Sequence, residues 1–122
     1  VTKFTCRIEA VPVAKERPRF TKYGGVYTPK KTADYEQLVA LSWLEQLGST
    51  KFETGNIEVH LNFGVTNMGQ DIDNLCKAVL DGLNGVAWND DRQIVKLNAW
   101  KFPVSKPEAA VNIIVRLIPK ES

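Results

Sequence analysis

The sequence predicts an α+β fold, a two-layer sandwich with two helices packed on one face of a mixed, mainly antiparallel sheet. Three observations carry that prediction. Residues 56–65 alternate strictly, Ile57, Val59, Leu61, Phe63 and Val65 against Glu58, His60 and Asn62, as a strand with one buried face does. Residues 72–84 instead repeat their apolar side chains with the period of a helix. The order along the chain is strand, hairpin, helix, strand, helix, strand, strand, which is not the regular alternation of a parallel α/β sheet.

The elements follow from local chemistry. Phe4, Cys6, Ile8 and Ala10 alternate with Thr5, Arg7 and Glu9, so residues 3–11 read as a half-buried strand. Gly24-Gly25, between Lys22-Tyr23 and Val26-Tyr27, marks a hairpin turn. Thr32 is placed to cap a helix over 32–47, with Asp34 and Glu36 in its first turn and Tyr35, Leu38, Val39, Trp43 and Leu47 on its apolar side. Gly48 stops that helix. The second helix, 72–84, ends near Asn84-Gly85. Strands over 93–102 (Val95, Leu97, Ala99) and 110–118 (Val111, Ile113, Val115, Leu117) complete the sheet. No repeat or linker divides the 122 residues, which suit one domain over 1–122. A chain of this length buries roughly two-thirds of its unfolded surface and needs no staple.

Composition narrows the function classes. No apolar run approaches the roughly 18–20 residues of a membrane span. The start, VTKFTCRIEA, lacks a signal peptide's apolar core. Cys6, Cys76 and His60 are the complete set of cysteines and histidines, too few for the usual zinc sites. The expectation is a reduced, cytoplasmic protein. Cys76 falls on the apolar side of its helix and reads as a small buried thiol, and His60 as a surface or interface residue.

The net charge of +2 conceals an asymmetry: residues 1–31 carry +6 and residues 32–122 carry −4. In KERPRFTKYGGVYTPKK, Lys15, Arg17, Arg19, Lys22, Lys30 and Lys31 alternate with Phe20, Tyr23 and Tyr27. A solvated hairpin would look similar. A phosphate-binding arm accounts for more, because the cations neutralise a nucleic-acid backbone while the rings offer stacking faces.

The acid concentrates in QDIDNLCKAVLDGLNGVAWNDDRQI, residues 70–94. At about 100° per residue, with Asp73 at zero, Lys77 falls at about 40°, Asp81 at about 80° and Asn74 at about 100°. Leu75, Cys76, Ala78, Val79, Leu80 and Leu83 take the remaining arc, so one side is core and the other a narrow polar stripe. Each acid has an ordinary explanation. Asp71 or Asp73 can cap the helix, Asp73 and Lys77 can pair at i, i+4, Asp81 can face the same lysine, and Asp90-Asp91 can form a turn. Together they ask for more, since gathered carboxylates repel unless a cation neutralises them. A calcium loop is excluded, with Cys76 where its glycine belongs and Gly82 where its glutamate belongs. Hard oxygen ligands suit Mg²⁺ or Mn²⁺. A magnesium-type site beside a lysine and a basic arm points to phosphodiester chemistry.

These residues also carry a resemblance. Asp71-Ile72-Asp73-Asn74, Lys77, Asp81, Leu83, and Trp88 leading into Asp90-Asp91-Arg92-Gln93-Ile94 resemble the signature of the RusA family of Holliday-junction resolvases, found in phages and prophages. KERPRFTKYGGVYTPKKTADYE is similar to the N-terminal pattern of many members. The resemblance implies a homodimeric, Mg²⁺-dependent endonuclease of DNA recombination and repair that cuts four-way junctions by paired symmetric nicks. By position it implies Asp71, Asp73 and Asp91 as catalytic, metal-binding carboxylates and Lys77 as the lysine near the scissile phosphate. Asn74, Asp90 and Asp81 are supporting residues. Members often carry basic residues just before the first Asp, whereas Thr66–Gln70 is uncharged here. Arg17, Arg19 and Lys22 are accordingly expected to contribute more of the DNA contact.

A two-fold symmetric junction needs two matched cuts and this chain offers one site, which an isologous dimer resolves. Trp43 and Trp100 are candidates for its interface or for the core. Asp71, Asp73 and Asp91 are expected to converge on one ion. The rival reading is a junction- or branched-DNA-binding accessory protein without turnover, which explains the basic arm but not the acids.

Overall fold

The computed structural model describes residues 2–120. In chain order it contains β1 (Lys3–Ile8), a short hairpin of β2 (Arg19–Phe20) and β3 (Val26–Tyr27), α1 (Lys30–Leu47), β4 (Ile57–Val65), α2 (Ile72–Leu83), β5 (Ile94–Pro103) and β6 (Ala110–Leu117). Four strands form one sheet in the order β1-β6-β4-β5, and β2-β3 stand apart as a second, small sheet. β6 runs antiparallel to both its neighbours, whereas β4 and β5 are parallel. The architecture is therefore the expected α+β arrangement of a mixed sheet and two helices. No helix among the described residues is long and apolar enough to cross a membrane.

The parallel pair decides where the site residues lie. Strands running the same way cannot be joined by a tight turn, so the chain must travel back before it starts the second one. It leaves β4 at Val65, level with Pro103, and enters β5 at Ile94, level with Ile57. The return is α2, whose 12 residues span about 18 Å. The residues before and after α2 consequently sit at opposite ends of the sheet.

One face of the sheet meets the helices. Ile57, Val59, Leu61 and Phe63 of β4, Val111, Ile113 and Val115 of β6, and Cys6 and Ile8 of β1 pack into one core with Val39 and Trp43 of α1 and Leu75, Val79 and Leu83 of α2. Each such side chain contributes roughly 1.5–3 kcal/mol by leaving water. Trp43 is wholly buried, so it belongs to the core. The two free thiols are buried too, and burial pushes Cys6 up to about 11.

Three expectations need correction. α1 begins at Lys30 after Pro29, so Thr32 is not its cap. Thr32 is buried inside the first turn, where its hydroxyl accepts the Glu16 N–H. Asp34 and Glu36 fall beyond that turn and serve as ion-pair partners of Lys30 and Lys15. Glu58, placed by alternation on the polar face, is buried at 3% exposure. His60, Arg116 and Lys96 close over its carboxylate; the His60 hydrogen bond first, then the hydrogen bond and charge of Arg116 and the charge of Lys96, hold it below the ordinary range despite burial.

Gly82 sets the distance between the helices. A Cβ there would lie 2.8 Å from the Glu36 carbonyl oxygen and 2.9 Å from the Val39 Cβ, so α1 and α2 touch backbone to backbone at this point. The contact explains a glycine inside a helix, where it costs about 1 kcal/mol relative to alanine. Gly82→Ala is accordingly expected to destabilise the protein by about 1–3 kcal/mol, against its better helix propensity. Urea unfolding of the two proteins checks the sign.

Candidate functional site

Asp71 occupies the position before α2, yet its side chain makes no cap hydrogen bond. Capping therefore does not account for it. Two residues on, Asp73 lies in the first turn, where negative charge suits the helix dipole. One of its oxygens accepts the N–H of Asn74 at 3.0 Å. Both carboxylates are exposed, and neither joins an ion pair among the described residues.

The loop leading to Asp71 is tied from the sheet. The ammonium of Lys101, on β5, donates to the carbonyls of Met68 and Gln70, each at 2.7 Å. Sequence reasoning missed this residue because the contact spans thirty-odd positions and leaves no local signal.

One turn beyond Asp73, Lys77 is exposed and free of ion pairs among the described residues. Neither the i, i+4 pair of Asp73 with Lys77 nor the alternative of Asp81 facing Lys77 is among the ion pairs of the described residues. Instead the ammonium of Lys15 stands 2.7 Å from Asp81 and 2.8 Å from Glu36, bridging α2 to α1. The backbone of the same residue donates to the Asn74 carbonyl at 2.9 Å. Burial alone would lower the Lys15 pKa, but hydrogen bonds to Asp81 and Glu36 outweigh it and hold the group above its ordinary 10.5. Lys15, expected to bind DNA, is thus a strut with its charge already spent. It binds the strap before β2 to the helices and leaves Lys77 open. Lys15, Glu16, Arg17, Pro18, Asn74, Lys77 and Asp81 line a cleft of about 250 Å³.

Asp90 and Asp91 separate into two roles. Asp90 caps a one-turn 3-10 helix, Asp91–Gln93: its oxygens accept the Arg92 N–H at 2.8 Å and the Arg92 guanidinium at 3.1 Å. The backbone N–H first, and then the guanidinium, hold its carboxyl below the usual range. Gln93 completes the cap by accepting the Asp90 N–H. Asp91 is exposed, and one of its oxygens accepts the indole N–H of the fully buried Trp88 at 2.7 Å. That bond orients a carboxylate that is otherwise exposed and outside any ion pair among the described residues. The three-residue step from Trp88 to Asp91 was the available signal.

The basic arm is a projecting hairpin. Phe20, Tyr23 and Val26 are more than half exposed, and Tyr27 nearly so. Lys22 lies over the Tyr23 ring at 5.2 Å. Arg19 reaches Glu16 at 3.4 Å and Lys30 pairs with Asp34. Arg17, Lys22 and Lys31 keep their charges unspent among the described residues.

Asp71 and Asp73 lie together, and Asp91 does not join them. The first two stand beside the end of β4, while Asp91 stands three residues before Ile94, which is level with the start of β4. The nine residues of β4 span those levels, about 26 Å along the sheet. Among the described residues no three His, Cys, Asp or Glu side chains gather into a group able to hold a metal. The donors fit a hard cation in kind, being exposed carboxylate oxygens, but one chain does not assemble them. The expected convergence within a single chain is not what this structure shows.

Comparison with known proteins gives one finding. The family model described as Endodeoxyribonuclease RusA matches residues 9–114. No curated protein matches the chain.

Lys15→Met is expected to lower stability by about 1–3 kcal/mol at neutral pH, because Glu36 and Asp81 lose their shared cation. A raised lysine pKa contributes fully below 10.5 and is lost as pH rises through the folded value, so the wild-type advantage should shrink above that pH. Thermal melts of both proteins across the alkaline range check it.

Proposed function

We propose, for a chain that belongs to the RusA endodeoxyribonuclease family, that it is a homodimer that resolves four-way DNA junctions by paired nicks with Mg²⁺ or Mn²⁺. The observation that carries this reading is the unspent state of Asp71, Asp73 and Lys77. Three functional groups on one helix end remain free while neighbouring acids are neutralised. No ion pair among the described residues engages any of the three.

The separation of Asp91 from Asp71 supports a shared site. β5 is an edge strand of ten residues, with unpaired backbone groups and with Val95, Leu97 and Trp100 exposed. Such an edge invites another strand. A second copy laid antiparallel against it, about a two-fold axis near Asn98, would extend the sheet to eight strands. That axis would carry each Asp91 toward the other chain's Asp71 end.

Asp71 and Asp73 of one protomer with Asp91 of the partner subunit would hold the cation, which supplies charge neutralisation at the phosphate and a more acidic water. The chain's own groups do the rest. The Lys77 ammonium offsets negative charge growing on the phosphate. Trp88 and Lys101 hold Asp91 and the Asp71 loop in place, so that little reorganisation remains for the reaction. Arg17, Arg19, Lys22 and Lys31 fix the DNA backbone without reading its sequence.

Asp71→Asn and Asp91→Asn should each abolish metal-dependent nicking of a synthetic junction while retaining junction binding in metal-free buffer. Mixed and allowed to exchange subunits, the two inactive proteins should recover about a quarter of the wild-type sites, because random exchange makes half of the dimers mixed and each mixed dimer has one unaltered site. Calorimetric Mn²⁺ binding should recover in parallel. Sedimentation that shows a monomer, or mixed dimers that stay inactive, would overturn the shared site. Full nicking by Asp71→Asn alone would overturn the catalytic assignment. Lys77→Met should reduce kcat by about 10²–10³-fold and leave junction affinity nearly unchanged.

A further inference from the structure

We propose that the helix-free face of the sheet is a second nucleic-acid surface, one that holds an unpaired strand with Trp100 as its stacking platform. Trp100 is 68% exposed, whereas Trp43 and Trp88 are wholly buried. A large ring left in water on a rigid strand is costly and has no duty in the core. The register places it level with Asn62 of β4, which is level in turn with Asn112 of β6. His60, Asn62, Asn98, Trp100 and Ile114 surround a depression of about 300 Å³. Side-chain amides beside an exposed ring suit a nucleobase, because they donate and accept whichever edge the base presents.

Charge selects the occupant. The same face carries Lys3 and Arg7 on β1, Lys96 on β5 and Arg116 on β6. Two acids accompany them: Glu58 on the central strand, buried and engaged by Arg116, His60 and Lys96, and Glu9 just beyond β1, paired with Arg7, so the four cations leave the face net positive. A second copy packed face to face would set these cations against their own kind, whereas a polyanion would not. Within the polyanions, a duplex keeps its base faces inside the stack and offers nothing to Trp100. An unpaired strand offers both phosphate and ring. Pairing along the β5 edge leaves this face open, so the surface does not compete with the proposed dimer.

The test uses the full chain in metal-free buffer, so that cleavage plays no part. Oligothymidylate of about a dozen residues should quench tryptophan emission, with Trp100 the residue that responds. Trp100→Ala should remove that quenching and weaken oligothymidylate binding by about ten-fold, as expected for the loss of one stacked base. Affinity for a duplex hairpin should change less than two-fold, and Trp100→Phe should restore most of the single-strand affinity. Lys96→Ala should lower the salt slope of oligothymidylate binding by about 0.7. Unchanged oligothymidylate affinity in Trp100→Ala would overturn the proposal. So would a change in sedimentation for that variant without a change in binding, which would assign the face to a second copy.

Discussion

Two strands that run in the same direction cannot be neighbours unless the chain crosses back between them. In this protein the crossing is α2, and the positions of the candidate groups follow from it. Asp71 and Asp73 begin the crossing and Asp91 follows its end, so the parallel pairing of β4 with β5 holds them at opposite ends of one sheet. α2 also cannot shift to shorten that distance. Its apolar arc is buried in the core, and Gly82 presses it against the backbone of α1. The same parallel pairing leaves β5 as an edge, so the constraint that splits the carboxylates also exposes the strand through which a second copy could reunite them.

A second ordering comes from how charges are used. Lys15 takes up Glu36 and Asp81, Arg92 takes up Asp90, and Arg116 with His60 and Lys96 takes up Glu58. Each of these acids has a local structural duty. Asp71 and Asp73 meet no cation among the described residues, Asp73 accepting only a backbone N–H, and Asp91 is held by a neutral indole N–H, which orients it without cancelling its charge. The partition also governs Lys77. Had Lys15 not taken Asp81, the acid one turn along α2 would be positioned to neutralise it, and a spent ammonium offers little to a phosphate.

Much of this was legible in the chain. The amphipathic arc of α2, the Gly24-Gly25 hairpin and the alternation of β4 are local patterns, and local patterns report local structure. What the sequence could not show is what depends on distant partners. Alternation placed Glu58 on a polar face, but it could not reveal that Arg116, fifty-eight positions later, covers it. Spacing allowed an Asp81–Lys77 pair, but it could not show that Lys15 competes for Asp81 from a strap far away in sequence. Asp90 and Asp91 look equivalent as letters. Only the cap geometry assigns one to the turn and the other to Trp88. The parallel sense of β5 carries no periodic signature of its own, which is why convergence of three carboxylates seemed natural from their order in the chain.

The two candidate surfaces are joined through adjacent residues of one strand. Side chains on β5 alternate between faces, so Lys101 points to the helix side and ties the loop of Asp71, while Trp100 and Phe102 point to the open side. A strand end leaving the Asp71 region therefore reaches Trp100 by rounding the Pro103 end of β5, three residues away, a path that a partner paired along the edge leaves open. In a dimer paired along the β5 edge, that path lies five residues of β5, roughly 17 Å, from the two-fold axis, about which the arms of a four-way junction must diverge. Unpaired nucleotides arise where arms diverge, since base pairing is lost there first. On this arrangement the open face would hold the displaced nucleotides while the helix side holds the backbone to be cut, and β5 alone would set the distance between the two.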